Sequence, residues 1–133
     1  MRVRHFELDS FTVAYLVAAL WSTNDESNER GGEPMDSNYD LFDLSDKALS
    51  EAIHDCTKFQ NEFGHLLNRD NCKYLGCPVT EYAGHHFWLT RNGHGCGFWD
   101  GAWEEPAATV LTEASKVYRE VDLYVGDDKR IYS

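Results

Sequence analysis

Basic residues are scarce in this sequence. Its 133 residues include 12 lysines and arginines against 23 aspartates and glutamates, which gives a formal net charge of −11 at pH 7 and an isoelectric point near 4.8. Proteins that bind nucleic acid phosphates or anionic membrane surfaces directly present clustered Lys and Arg side chains. The composition therefore argues against direct binding to nucleic acid or to a membrane, and it leaves partners with a basic surface open.

Long hydrophobic runs are also lacking. The longest apolar run, from Phe11 to Trp21, has about half of the roughly 20 residues that span a bilayer, so we expect no transmembrane helix. Arg2 and Arg4 precede this run, but Glu7 interrupts the basic stretch and no A-x-A cleavage site follows, so no signal peptide is expected. The four cysteines are then expected to be reduced thiols in a cytoplasm.

Two helices are predicted in the first half of the chain. Apolar residues at helical spacing predict a buried helix from about Phe11 to Trp21, capped by Asp9 or Ser10. A longer amphipathic helix is predicted to begin at Asp43 or Ser45. Its apolar stripe comprises Leu49, Ile53, Cys56, Phe59, Phe63 and Leu67.

The second half adds a third helix and two predicted hairpins. The helix runs from Pro106 to about Arg119, and "VDLYVGDDKRIY" (121–132) reads as two short strands around an Asp-Asp turn. With 42% hydrophobic residues the chain has enough material for one core, so residues 1–133 are expected to form a single globular domain. The predicted fold class is α+β, with an antiparallel β-sheet built from two hairpins and packed against about three helices.

An acidic segment separates the first two helices. Residues 22–46 carry eight acidic residues against one basic residue, Arg30, a local net charge of −7. Gly31, Gly32 and Pro34 predict a loop here, and connections this long are often functional. The acids are interspersed with Met35, Tyr39, Leu41 and Phe42, and apolar anchors surrounded by charge are typical of a binding patch. A plain solvated loop is the alternative.

The stretch "GHHFWLTRNGHGCGFWDGAW", Gly84 to Trp103, is the most unusual part of the sequence. Asn92-Gly93 is a strong signal for a two-residue hairpin turn, because both central positions of a type I′ turn need positive φ. The resulting register pairs Leu89 with Cys96, His85 with Asp100, and Trp88 with Gly97, whose missing side chain would make room for an indole ring.

This register defines a candidate acid-base site. A carboxylate at Asp100 opposite an imidazole at His85 would orient the ring and raise its pKa. Arg91 and His94, exposed beside the turn, complete the residues of a small enzyme, hydrolase or nuclease-like, with or without a metal. A structural cross-strand pair has the same sequence signature.

A metal site is the second alternative for this stretch. Cys72, Cys77 and Cys96 with His94 form a zinc-ligand set, although the C-x4-C spacing is at the loose end of the usual range. The hairpin register separates His94 from His85 by about 20 Å, at roughly 3.3 Å per residue, so the histidines cannot share one ion. The sequence therefore predicts no cofactor and no bound metal.

The same stretch, with "LTEASKVY" and "VDLYVGDD" after it and "ALWST", "GGEPMD" and "DCTKFQ" before it, resembles a group of small phage and prophage proteins. The resemblance covers most of the chain. It implies a virus-encoded protein in the bacterial cytoplasm, and small accessory phage proteins commonly bind and inhibit host machinery.

Charge and resemblance together favour an interaction protein over an enzyme. The expected function is that of an anti-defence inhibitor, for example anti-CRISPR or anti-restriction, which presents an acidic surface to a basic nucleic-acid-binding host protein. A structural or regulatory phage protein is a further alternative. The predicted binding residues are Asp25, Glu26, Asp36, Tyr39, Asp40, Phe42, Asp43, Arg91 and His94.

Overall fold

The computed structural model describes residues 8–27 and 32–133. The basic residues Arg2 and Arg4, with Glu7, and the middle of the acidic segment at 28–31 lie outside these ranges. The α-helices are α1 (Ser10–Ser22), α2 (Asp46–Phe63), α3 (Val79–Arg91) and α4 (Ala107–Val117), and the strands are β1 (Asn24–Asp25), β2 (Glu33–Pro34), β3 (Tyr124–Val125) and β4 (Ile131–Tyr132). None of the helices in the described ranges is long and apolar enough to cross a bilayer.

The α+β class is confirmed, but the strands are distributed differently from the prediction. β1 pairs with β2 and β3 pairs with β4, both antiparallel, in two separate two-stranded sheets. The predicted C-terminal hairpin is present, with Tyr124 opposite Tyr132. In place of the predicted central hairpin, the structure has a helix that was not predicted, α3.

The first two helices begin where their capping residues place them. The Asp9 side chain accepts a hydrogen bond from the Thr12 amide at 2.8 Å, and the Ser45 hydroxyl accepts one from the Ala48 amide at 3.1 Å. Each cap satisfies an amide that has no partner inside its helix. α1 is buried over most of its surface, as its continuous apolar sequence predicts.

The hairpin prediction at Asn92-Gly93 is wrong because the same two residues end a helix. Gly93 has φ +71°, and its amide donates to the Thr90 carbonyl at 3.2 Å while the His94 amide donates to the Leu89 carbonyl at 3.0 Å. This pair of bonds is the Schellman motif, in which a glycine in the left-handed conformation follows the helix. The prediction of a positive φ at Gly93 is correct, but this residue ends a helix and does not form a hairpin turn.

Packing against α1 selects the helix over the strand. A Cβ atom at Gly84 would lie 2.2 Å from the Phe11 carbonyl oxygen, so the backbones of α1 and α3 cross in direct contact there. Because these residues form a helix, the pairs of the expected hairpin register do not form. Gly97 makes room for the Thr90 hydroxyl rather than for Trp88, whose indole donates to the Ser22 hydroxyl at 2.7 Å.

Aromatic rings from three helices meet in the core. Phe87 of α3 stacks on Phe59 of α2 with ring centroids 4.2 Å apart, and Phe11 of α1 lies 5.9 Å from Phe87. Phe98, from the irregular segment after α3, stacks on Phe59 at 5.9 Å. The four phenylalanines are fully buried, so the stretch that looked like a site supplies the centre of the core instead.

Candidate functional site

Arg91, predicted as a site residue, is buried and fully engaged. Its guanidinium donates to the Tyr15 hydroxyl at 3.0 Å, the Asp55 carboxylate at 2.9 Å, and the carbonyls of Tyr118 and Arg119 at 2.7 and 2.8 Å. The ion pair with Asp55 offsets the cost of burying the charge. Arg91 therefore ties α3 to α1, α2 and the end of α4, and it does not face a ligand.

Asn92, next to Arg91, also joins parts of the fold through its side chain. The Asn92 amide donates to the Trp88 carbonyl at 3.0 Å, and its oxygen accepts from the Val121 amide at 2.8 Å. His94 is half-buried, and its backbone closes the Schellman motif. Arg91 is thus not an exposed turn residue, which corrects its assignment as a binding residue, whereas the half-buried side chain of His94 keeps some exposed surface.

His85 and Asp100 are not brought together as a cross-strand pair. His85 lines a groove between α1 and α3 near Glu81, and burial lowers its pKa. Asp100 lies in the irregular segment, where its carboxylate accepts from the Gly97 amide at 3.3 Å and its charge acts on His86. The acid-base pairing of the enzyme hypothesis rested on the hairpin register and falls with it.

His86 is the most perturbed histidine of the stretch. Its Nδ1 accepts a hydrogen bond from the Trp103 indole at 2.9 Å, and both side chains are buried. Burial lowers the pKa of His86 to about 4, although the Asp100 carboxylate acts in the opposite direction. Because it is neutral and hydrogen-bonded inside the core, His86 supports the packing of Trp103 against α3.

The proposed zinc ligands occupy different environments. Cys72 is buried beside Trp103, to which its backbone forms an isolated β-bridge, whereas Cys77 and Cys96 are half-buried. Burial raises the pKa of the Cys77 and Cys96 thiols, which favours the protonated form that neither attacks nor ligates. Within residues 8–27 and 32–133, no three His, Cys, Asp or Glu side chains converge closely enough to hold a metal ion.

Residues 32–46 of the acidic segment, by contrast, have a defined conformation in which most of the carboxylates are exposed. β2 pairs with β1, and short 3₁₀ helices at Met35–Ser37 and Leu41–Asp43 replace the expected loop. Met35 and Leu44 are fully buried and fix both ends of this part of the chain to the core. Met35 is therefore a core residue and not a surface anchor.

We call the outward side of residues 33–46 the acidic face. Its carboxylates belong to Glu33, Asp36, Asp40, Asp43 and Asp46, and the sequence between 32 and 46 contains no Lys or Arg. All five are exposed except Asp43, which is half-buried. The Phe42 side chain stands among them with 71% of its surface exposed, while Tyr39 and Leu41 are half-buried against the core.

Two of these carboxylates also stabilise the local backbone. Asp40 accepts a hydrogen bond from the Phe42 amide at 2.8 Å, and Asp43 accepts one from the Asp40 amide at 2.9 Å. Asp40 and Asp43 together form a capping box, which fixes the backbone conformation at this point. The carboxylates of Asp40 and Asp43 are consequently held in fixed positions.

Asp25 leaves the set of predicted binding residues. It is buried, and its carboxylate accepts from the Ser27 amide at 2.9 Å and from the Ser27 hydroxyl at 2.6 Å. It shapes the turn after β1, a role for which Asp is favoured because its short side chain reaches the backbone two residues on. Glu26 is exposed beside it.

The C-terminal hairpin adjoins the acidic face, which the sequence did not indicate. The Ser45 amide donates to the Ile131 carbonyl at 2.8 Å, and the Arg130 guanidinium donates to the Leu44 carbonyl at 2.8 Å. The turn of this hairpin carries Asp127 and Asp128, both exposed. The same turn carries Lys129 and Arg130, so the hairpin brings charges of both signs to this side of the molecule.

Comparison with family models, with curated proteins and with solved structures found no match to this chain. The five carboxylates outnumber the two cations beside them, Lys47 and Arg130, and such an excess creates a negative potential that attracts positively charged surfaces. An exposed aromatic ring among them can add apolar contact area.

Proposed function

We propose that this chain is an acidic interaction protein whose acidic face binds the basic surface of a partner protein. The observation that carries the proposal is the arrangement of residues 33–46, in which buried Met35 and Leu44 fix the backbone while the carboxylates point to solvent. A flexible acidic loop would lose conformational entropy on binding, whereas an ordered one has lost it already on folding.

The charges and the apolar groups of the acidic face have separate roles in this proposal. The carboxylates accelerate the encounter with a basic partner through long-range attraction. Phe42, 71% exposed, and the half-buried Tyr39 supply the short-range contacts that slow dissociation. A nucleic-acid-binding protein is the class of partner that presents such a basic surface.

The resemblance to small phage proteins supplies the biological setting of the proposal. The partner is then a host protein in the bacterial cytoplasm, and the chain is an anti-defence inhibitor of the anti-CRISPR or anti-restriction kind. Carboxylates held in fixed positions would occupy the basic groove in which nucleic acid phosphates bind. The protein itself contacts no nucleic acid and no membrane.

Affinity capture with three immobilised versions of the chain tests the proposal. The first is the wild type. The second carries Asp36→Asn, Asp40→Asn and Asp43→Asn, which remove three charges but keep an oxygen that can accept the hydrogen bonds of the capping box. The third is a matched control with Asp70→Asn, Glu113→Gln and Glu120→Gln, exposed residues outside the acidic face.

The proposal predicts at least one bacterial protein that the wild type and the control retain and the acidic-face variant loses. It also predicts that nucleic acid competes with the chain for this protein. If all three versions retain the same proteins, the acidic face has no role in their binding. If the control loses them as the acidic-face variant does, binding depends on net charge alone.

A further inference from the structure

α1 presents a row of apolar side chains on its outer side. Val13, Val17 and Trp21 are spaced four residues apart, so they follow one another along the helix, and we call them the α1 stripe. Val13 is half-buried, whereas Val17 and Trp21 are 41% and 43% exposed. The row is about 12 Å long, at roughly 1.5 Å per residue, which is the length of a contact between two packed helices.

A groove between α1 and α3 runs beside the α1 stripe, and its volume is about 500 Å³. Leu8, Val13 and Val17 contribute its apolar lining, and Glu81 and His85 contribute polar groups from α3. Burial lowers the pKa of His85, so its imidazole is neutral at pH 7. The charged group of the groove is therefore the Glu81 carboxylate.

The charges carried by the two helices around the α1 stripe are negative. Residues 8–27 and 79–90, which include all of α1 and α3 up to the residue before Arg91, contain no Lys or Arg. The C-terminal end of α1 also adjoins the acidic face, because the Met35 amide donates to the Thr23 carbonyl at 2.9 Å. A partner that lies along the α1 stripe therefore meets apolar side chains bordered by carboxylates, which fits an apolar surface bordered by Lys and Arg.

We propose that the α1 stripe and the groove beside it bind an amphipathic helix of the partner protein, with Lys and Arg at the borders of its apolar side. The inference rests on the proposed function, because the same basic partner supplies the helix. An extended peptide would find few backbone partners on this surface, since the amides and carbonyls of α1 and α3 bond within each helix. A helix satisfies its own backbone groups. A second copy of this chain is disfavoured, because each copy carries a net charge of −11.

The apolar side of the bound helix would pack on Val17 and Trp21, and one of its basic side chains would reach the Glu81 carboxylate. Helices that bind in a groove are recognised through apolar side chains at positions i, i+3, i+4 and i+7, which match the four-residue spacing of the α1 stripe. Tryptophan is enriched among the residues that carry most of the binding energy at interfaces. Trp21 is therefore expected to contribute most to the affinity.

Two synthetic peptides of about 18 residues, both composed of leucine and lysine, test the inference. The first has its leucines at i, i+3, i+4 and i+7, so that they form one side of a helix, and the second has the same composition in scrambled order. Each is titrated into the full chain and followed by amide NMR shifts. The first should bind with a dissociation constant on the order of 0.1 mM and shift residues of α1 and α3 around the groove, and the second should bind at least about tenfold more weakly.

Variants of the contact residues measure what each contributes. Trp21→Ala should weaken binding of the first peptide about tenfold, and Val17→Ala and Glu81→Gln about threefold each. The matched controls Val110→Ala and Glu113→Gln replace an equally exposed valine, at 40%, and an exposed glutamate on α4. Both controls should leave the affinity unchanged.

Three results would overturn the inference: shifts that map outside the groove, equal affinities of the two peptides, or equal effects of the controls and the variants of the α1 stripe. Arg4→Ser combined with Phe6→Ser tests residues 1–7 of this chain as the occupant. Stronger binding of the first peptide to that variant than to the wild type would also overturn the inference.

Capture of the host protein separates this inference from the proposed function. If the variant with Asp36→Asn, Asp40→Asn and Asp43→Asn loses the captured protein while Trp21→Ala retains it, the α1 stripe has no role in binding that partner and the proposed function stands. Loss by both variants supports both proposals. Retention by both contradicts the proposed function, and with it the assignment of the helix to that partner.

Discussion

The indole N–H of Trp103 donates a hydrogen bond of 2.9 Å to Nδ1 of His86, and both side chains are buried. An indole can only donate, so Nδ1 must accept, and the proton of the neutral imidazole is on Nε2. Protonation of His86 would place a second hydrogen on Nδ1, opposite the indole N–H. The bond between Trp103 and His86 therefore exists only while His86 is neutral.

This pair predicts a loss of stability in mild acid. The pKa of His86 is about 4 in the folded protein and near 6.5 in an unfolded chain, so between these values the unfolded state binds a proton that the folded state does not. The free energy of unfolding should fall by roughly 3 kcal/mol as the pH drops from about 6.5 to 4. Urea unfolding at several pH values measures this loss.

His86→Asn is the control for the pH effect, because an asparagine oxygen can accept from the indole without titrating. The variant should lose the part of the pH dependence between 6.5 and 4 that belongs to His86. His54→Asn, at an exposed position on α2, should keep it. Identical pH profiles for the wild type and the His86 variant would show that His86 titrates normally.

Arg91 is predicted to stabilise the fold rather than to bind a partner. Arg91→Met removes four hydrogen bonds and leaves Asp55 and two carbonyls without their donor. Breaking a buried pair in this way costs about 3–5 kcal/mol of unfolding free energy. Denaturant unfolding measures it, with Lys116→Met on the exposed side of α4 expected to change stability by less than about 0.5 kcal/mol.

Replacing either of two glycines of the central stretch is predicted to destabilise the fold, and replacing a third is not. Gly84→Ala would press a Cβ against the Phe11 carbonyl and should cost about 2 kcal/mol or more, and Gly93→Ala would strain a φ of +71° at a cost of about 1 kcal/mol. Gly95→Ala meets nothing within 4 Å and should be nearly neutral. Comparable losses in all three thermal unfolding curves would contradict this packing of α1 on α3.

Short sequence patterns predicted the structure correctly where each pattern is compatible with only one structure. Asp9 and Ser45 cap α1 and α2 as predicted. A short polar side chain directly before apolar residues at helical spacing is a specific signal for the start of a helix. The C-terminal hairpin was predictable from two short strands around the Asp127-Asp128 turn. Its position beside Leu44 was not, since that contact joins residues far apart in the sequence.

The hairpin prediction for the central stretch was wrong because its sequence patterns are compatible with two different structures. Asn92-Gly93 provides a positive φ for a hairpin and equally for the end of a helix, and a continuous apolar run such as "HFWL" has no period that separates strand from helix. The close contact of Gly84 with Phe11 decides between them, and it is tertiary. The burial of Asp25 and Met35 in the acidic segment was not predicted either, because composition does not show which side of the chain a residue faces.

The association rate with the captured partner, measured at low and at physiological ionic strength, tests the acidic face most directly. The wild type should associate fastest at low salt, and Asp36→Asn, Asp40→Asn and Asp43→Asn together should slow that rate about tenfold and flatten its salt dependence. The matched control with Asp70→Asn, Glu113→Gln and Glu120→Gln should stay within about twofold of the wild type. Equal rates for the wild type and the acidic-face variant at low salt would contradict the proposed function.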